Sequence, residues 1–152
     1  MNILAIDQAT KTGWATNQAS GVWDLSIRRD ESGGMRLIRL SSKLKELHEL
    51  TPIDLVVYER VSGRFKNAIS VSAELAGVIK LFAEQNDIEY RAYSALEIKK
   101  FATGKGNANK PMMVKAAEEK FGIMIIDDNH ADALWLHELA KSDYGEVQKI
   151  VS

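Results

Sequence analysis

At 152 residues, with 45% hydrophobic and 27% charged side chains, the chain has the size and make-up of one globular domain able to bury a sizeable core. It contains no cysteine, which excludes disulfide frameworks and thiolate zinc sites and leads us to expect a reducing, cytoplasmic setting. No signal peptide and no window long enough to span a membrane are visible, so no membrane partner is expected. The net charge of −1 hides a polarity: from Arg91 to Lys120 seven basic residues stand against three acidic ones, and the remainder is acidic.

The apolar run Ile3-Leu4-Ala5-Ile6 suits a strand buried on both faces and ends on Asp7. A polar turn with Thr10, Thr12 and Gly13 should follow, then strands over 14–16 and 21–27 joined by a hairpin turn. After the breaker Gly33-Gly34, the spacing of Met35, Leu37, Ile38, Leu40, Leu44, Leu47 and Leu50 predicts an amphipathic helix. Thr51-Pro52 stops it, and a strand over 53–59 ends on a second carboxylate, Glu59. A polar loop over 60–67 leads to a helix over about 68–86 and a fifth strand over 88–93. Ser94 and Glu97 read as a capping box for a short helix. Residues 103–110 form a loop by composition, Pro111 suits the first turn of a helix reaching about 121, and a last helix spans about 131–141. From about 142 a polar tail with little structure is expected. Strands separated by long helices are normally parallel crossovers. The expectation is therefore one α/β domain over 1–152, with a mixed five-stranded sheet (three antiparallel strands, then parallel strands) flanked by helices.

Asp7 and Glu59 each end a strand, on either side of the first crossover, and ligands of open α/β sheets bind at that end. Asp7 alone reads equally as a turn residue or as a metal or catalytic group. Asp132, in the first turn of the last helix, comes near the pair if that helix begins over the same sheet end. Three carboxylates sharing one site repel one another, and a hard divalent cation relieves that repulsion. Two such ions can stabilise the attacking water and the leaving oxygen of a phosphodiester.

The segments Leu4-Ala5-Ile6-Asp7-Gln8-Ala9-Thr10-Lys11-Thr12-Gly13-Trp14, Val56-Val57-Tyr58-Glu59-Arg60 and Asn129-His130-Ala131-Asp132-Ala133-Leu134 resemble the three acidic motifs of RuvC-type Holliday junction resolvases, within the RNase H-like superfamily. The stretch from Lys99 through Thr103-Gly104-Lys105-Gly106 to Lys110 is similar to that family's basic segment, and the resemblance spans about 4–139. It implies an RNase H-like fold and a metal-dependent endonuclease that resolves branched DNA, acting as a homodimer with Mg²⁺ or Mn²⁺, two ions per site. Asp7, Glu59 and Asp132 would be metal ligands, and Lys99 and Lys110 would contact or polarise phosphate, Lys110 as part of the catalytic set. At the fourth acidic position this chain has Asn129, whose amide oxygen can coordinate, and Asp128 beside it is the alternative. In the loop after Glu59, Arg64 and Phe65 would meet DNA, Phe65 by stacking on an exposed base or else serving as a core aromatic. Lys105 is either a phosphate contact or a solvated loop residue.

His130 is expected at the surface or supporting the site rather than as a ligand, and His48 and His137 as structural residues. The second helix would build the dimer, with Ala73, Ala76, Val78 and Leu81 as candidates, unless they face only their own sheet. Other readings are a nuclease acting on RNA–DNA hybrid and a non-catalytic branched-DNA-binding module, the latter resting on Asn129 alone. An actin- or heat-shock-type ATPase is disfavoured, because Gln8-Ala9-Thr10 stands where a Gly-rich phosphate loop is needed.

Overall fold

A computed structural model describes residues 1–62 and 66–151 of the chain. The elements are β1 (Ile3–Asp7), β2 (Lys11–Ala15), β3 (Ser20–Asp24), α1 (Gly34–Leu50), β4 (Leu55–Glu59), α2 (Lys66–Gln85), β5 (Glu89–Tyr93), α3 (Ala95–Thr103), α4 (Lys110–Phe121) and α5 (Asp128–Val151). The strands form one sheet in the order β3-β2-β1-β4-β5. β1, β2 and β3 pair antiparallel, while β4 lies parallel to both β1 and β5. This is the mixed five-stranded sheet expected, with β1 and β4 shielded on both faces as their apolar runs require.

Side-chain alternation splits each central strand between two cores. Leu4 and Ile6 of β1, with Val56 and Tyr58 of β4, face α1 and α2, where Leu40, Leu44, Leu75, Ile79 and Phe82 close the layer. Ile3, Ala5, Leu55 and Val57 face the opposite way, onto Ile98 of α3, Met113 of α4 and Trp135, Leu136 and Ala140 of α5. The Trp135 indole N–H donates to the Met113 carbonyl at 3.2 Å and its ring meets Phe101 and Phe121, which joins the three helices. α3 carries the capping box of Ser94 and Glu97, and Asn109 caps α4 by accepting from the Met112 N–H at 3.0 Å.

Several boundaries differ from the sequence reading, three elements most of all. β2 begins at Lys11, not at 14, and pairs Gly13 with Asp7, so the turn shrinks to 8–10. Thr12 tolerates full burial because its hydroxyl donates to the Ala9 carbonyl at 2.5 Å. β3 stops at Asp24, whose Oδ1 accepts the Ser26 N–H at 3.0 Å and turns the chain. The supposed polar tail is helix: α5 starts at Asp128 and continues to Val151. Its far half is held by β5, where the Tyr93 hydroxyl donates to Asp143 at 2.7 Å, Arg91 pairs with Asp143 at 3.4 Å, and the Tyr144 hydroxyl donates to Glu89 at 3.3 Å. These anchors come from a strand some fifty residues earlier, beyond the reach of local periodicity.

His48 and His137 are structural, as expected. His48 Nδ1 accepts the Ile53 N–H at 3.0 Å, and His137 Nε2 donates to Asn17 Oδ1 at 2.9 Å, tying α5 to the β2–β3 turn. His130 is not at the surface. It is buried, with Nδ1 accepting the Ile126 N–H at 3.0 Å and Nε2 bonded to the Ser20 hydroxyl at 2.9 Å.

Candidate metal centre

Strand parity determines which way the acids point. Asp7 continues the Ile3, Ala5 series and Glu59 the Leu55, Val57 series, so both carboxylates lie on the α5 side of the sheet. The β1–β4 register aligns Ile6 with Tyr58, which makes Asp7 and Glu59 neighbours across adjoining strands. α5 packs Ala131 and Trp135 onto the same face and so brings Asp132 to the pair. Ligand oxygens of Asp7, Glu59 and Asp132 all lie within 4.8 Å of one another.

The electrostatics are those of a cation site. Burial, and then the charges of Glu59 and Asp132, hold the Asp7 carboxyl well above the usual carboxylate range. Asp132 is pushed up to about 7, chiefly by burial and then by Glu59 and Asp128, against the pull of Lys99 and Lys110. All donors are oxygens, the set that hard cations such as Mg²⁺ and Mn²⁺ accept. The residues present therefore fit a divalent ion.

The acids open into a cleft of about 430 Å³ that is also lined by Lys99, Asn109, Lys110, Asp128 and Asn129. Lys110 is 80% exposed at the side chain, with its ammonium 3.4 Å from Asp128. A second cleft of about 510 Å³ shares Glu59 and Asn129 with the first and adds Lys11, Arg60, Ser62, Asn67 and Ser72. The site thus lies where two polar clefts meet.

The family model described as crossover junction endodeoxyribonuclease RuvC matches residues 19–136. The chain belongs to the RuvC family. A Brachyspira hyodysenteriae crossover junction endodeoxyribonuclease RuvC is 46% identical over 69 residues, covering 45% of this chain and 42% of that protein. One from Caldicellulosiruptor saccharolyticus is 35% identical over 104 residues, covering 66% and 62%. These matches span between two fifths and two thirds of the curated relatives' own length. Thermus thermophilus RuvC, solved in complex with a Holliday junction substrate, superposes with a TM-score of 0.76 at 18% identity, covering 97% of this chain and 96% of that one. The shared fold is RNase H-like, as the motifs implied.

Glu59 and Asp132 fall inside the RuvC match and Asp7 precedes it. Of the other residues singled out, Lys99, Lys110 and Asn129 line the cleft with the acids. Asp128 also lines it but is paired to Lys110 and stands outside the cluster of three. Lys105 is exposed and is not part of the cleft wall. Arg64 and Phe65 lie outside the described residues.

Gly13 went unrecognised because it sits in what read as a turn. A Cβ there would stand 1.9 Å from the Asn129 carbonyl oxygen, so only glycine lets the first turn of α5 press on β2. His130, Ser20 and Asp127 add to the same docking, with the His130 N–H donating to Asp127 at 2.9 Å. The signal available in sequence was a glycine in a short strand, which marks close backbone approach.

Proposed function

We propose that this protein is a metal-dependent endonuclease that resolves four-way DNA junctions, as a cytoplasmic homodimer using Mg²⁺, or Mn²⁺ in its place, with two ions per site. The observation carrying this reading is the convergence of Asp7, Glu59 and Asp132 within 4.8 Å, in a cleft walled by Lys99 and Lys110, in a chain of the RuvC family. The relatives' names and the Thermus protein's junction substrate support the choice of substrate.

Asp7, Glu59 and Asp132 would hold the ions, with the Asn129 amide oxygen or Asp128 as the fourth ligand. Bound there, divalent cations supply an activated water and offset charge gathering on the scissile phosphate. Lys110 has the exposure and reach to leave Asp128 and meet a phosphate oxygen, where its charge favours the transition state. Lys99, whose charge acts on Asp132 together with that of Lys110, keeps the wall positive, and Lys105 extends the positive rim. Arg64 and Phe65 would meet the unpaired region of the junction. A four-way junction needs two cuts related by two-fold symmetry, which a C2 pair of sites provides. On α2, Ala73 and Leu81 are exposed and suited to such an interface, whereas Ala76 is buried against its own sheet and Val78 packs on the same core.

The test is incubation with labelled four-way junction, linear duplex and RNA–DNA hybrid, with and without Mg²⁺. Paired, symmetric, Mg²⁺-dependent cuts in the junction are expected. Preferential cutting of the hybrid's RNA strand, or junction binding without cleavage, would overturn the proposal.

A further inference from the structure

The backbone pairing of β1 with β4 ends at Ile6 and Tyr58, one residue short of the two carboxylates. Along a strand, successive residues turn their backbone groups to opposite neighbours. Arg60 gives its N–H to the Tyr93 carbonyl on the β5 side at 2.7 Å, so Glu59 directs its own N–H and carbonyl toward β1. The ladder still uses the Glu59 N–H, but the Glu59 carbonyl reaches past Asp7, where β1 ends and the chain turns into β2. The side chain of Gln8 occupies the vacated place: Nε2 donates to the Glu59 carbonyl at 2.6 Å, and Oε1 accepts the Glu59 N–H at 3.3 Å.

The carboxamide N–H therefore does what the next peptide N–H of β1 would have done, while Oε1 shares the Glu59 N–H with the ladder. An amide suits the place, because its nitrogen donates and its oxygen accepts, matching the one acceptor and one donor on Glu59. Gln8 is 4% exposed, so water does not readily replace it. It also follows Asp7 directly, so one dipeptide carries a site carboxylate and the bracket that holds its neighbour.

We propose that Gln8 is a positioning residue that fixes Glu59 for cation binding beside Asp7. This rests on the metal-centre reading above. Without the bracket, the Glu59 carbonyl has no partner on the β1 side, and its peptide can tilt and carry the carboxylate off the Asp7–Asp132 pair. A residue that merely stabilised the sheet would lower the melting temperature and leave the ion response intact. A positioning residue changes the ion response itself.

The test uses Gln8→Met, similar in length but without the amide, and Gln8→Asn, which keeps the amide one methylene short of Glu59. Two readouts are compared with wild type: the rise in melting temperature caused by Mn²⁺, and the Mg²⁺ concentration giving half-maximal single-turnover cleavage of a four-way junction. Both variants should need about tenfold more Mg²⁺ or beyond, the usual effect of removing a group that orients a metal ligand. Their Mn²⁺-induced rise should shrink, while junction affinity without divalent ion stays at the wild-type value. If Gln8→Met fails to fold, Gln8→Asn carries the comparison. A wild-type ion response in a folded variant beside a responsive wild type would overturn the role of Gln8 alone. A wild type indifferent to Mn²⁺ would overturn the metal centre and this role with it.

Discussion

Gly13 and Asp7 face each other across the β1–β2 ladder and illustrate two kinds of dependence. Gly13 acts by absence of volume. Gly13→Ala must displace the backbone of Asn129, since the new methyl has no flexible side chain to push aside. It should cost about 1–3 kcal/mol in denaturant unfolding, the usual range for overpacking, and should weaken cation binding because Asp132 moves with its helix. Asp7 acts by charge. On the proposed function, Asp7→Asn should keep the junction binding assigned to the basic rim, yet slow single-turnover cleavage by at least about a thousandfold, several kcal/mol of lost stabilisation. Near-normal cleavage by this variant in Mg²⁺ would exclude Asp7 as a ligand. The charge was legible in sequence because an acid ending an apolar strand stands out. The glycine was not, because its strand read as a turn and the backbone it meets, at Asn129, is more than a hundred residues away.

Two helices set the working edge of the site. α4 presents Lys110 at its first position, where the Asn109 cap fixes the direction of the turn. Lys110→Ala should flatten the slope of log affinity against log salt by about one unit if the ammonium meets a phosphate. It should also slow cleavage more than it weakens binding; an unchanged slope and an unchanged rate would reduce Lys110 to a solvated residue. α5 carries Asp132 at one end and is tied to the β2–β3 turn by His137. Burial holds His137 down to about 4, so the fold takes it neutral. Its stabilising effect is complete above the unfolded value of 6.5 and is lost as pH falls toward 4, up to about 3 kcal/mol. His137→Asn should flatten that acid limb in pH-dependent unfolding, and an unchanged limb would show that His137 does not create it. That a helix stands here followed from the apolar Ala131, Leu134, Trp135 and Leu139, although it begins at Asp128 rather than at 131. Its length did not, because Asp143 and Tyr144 are held by β5 side chains rather than by neighbours in sequence.

Over the whole molecule, the sheet gathers three acids at one end while the basic segment on α3 and α4 borders them, so a nearly neutral chain carries a steep local contrast of charge. Most of the fold was readable because helix and strand periods alternate cleanly. The site was readable as far as its acids, since counting 3, 5, 7 and 55, 57, 59 puts both carboxylates on one face. Without cation, the raised Asp7 and Asp132 favour the protonated fold. Their contribution is greatest below the unfolded value of 3.8 and fades as pH rises through the folded value, about 7 for Asp132. Between pH 6.5 and 8 the cation-free melting temperature should fall more steeply in wild type than in Asp132→Asn. The most direct test of the centre is calorimetric titration of Mn²⁺ at pH 7, into wild type and into Asp7→Asn/Asp132→Asn, in two buffers of unlike ionisation enthalpy. Wild type should bind with net proton release, because its raised carboxyls must give up protons to become ligands, and the double variant should not bind. Absence of binding to wild type, or equal binding by both proteins, would contradict a cation site built from these carboxylates.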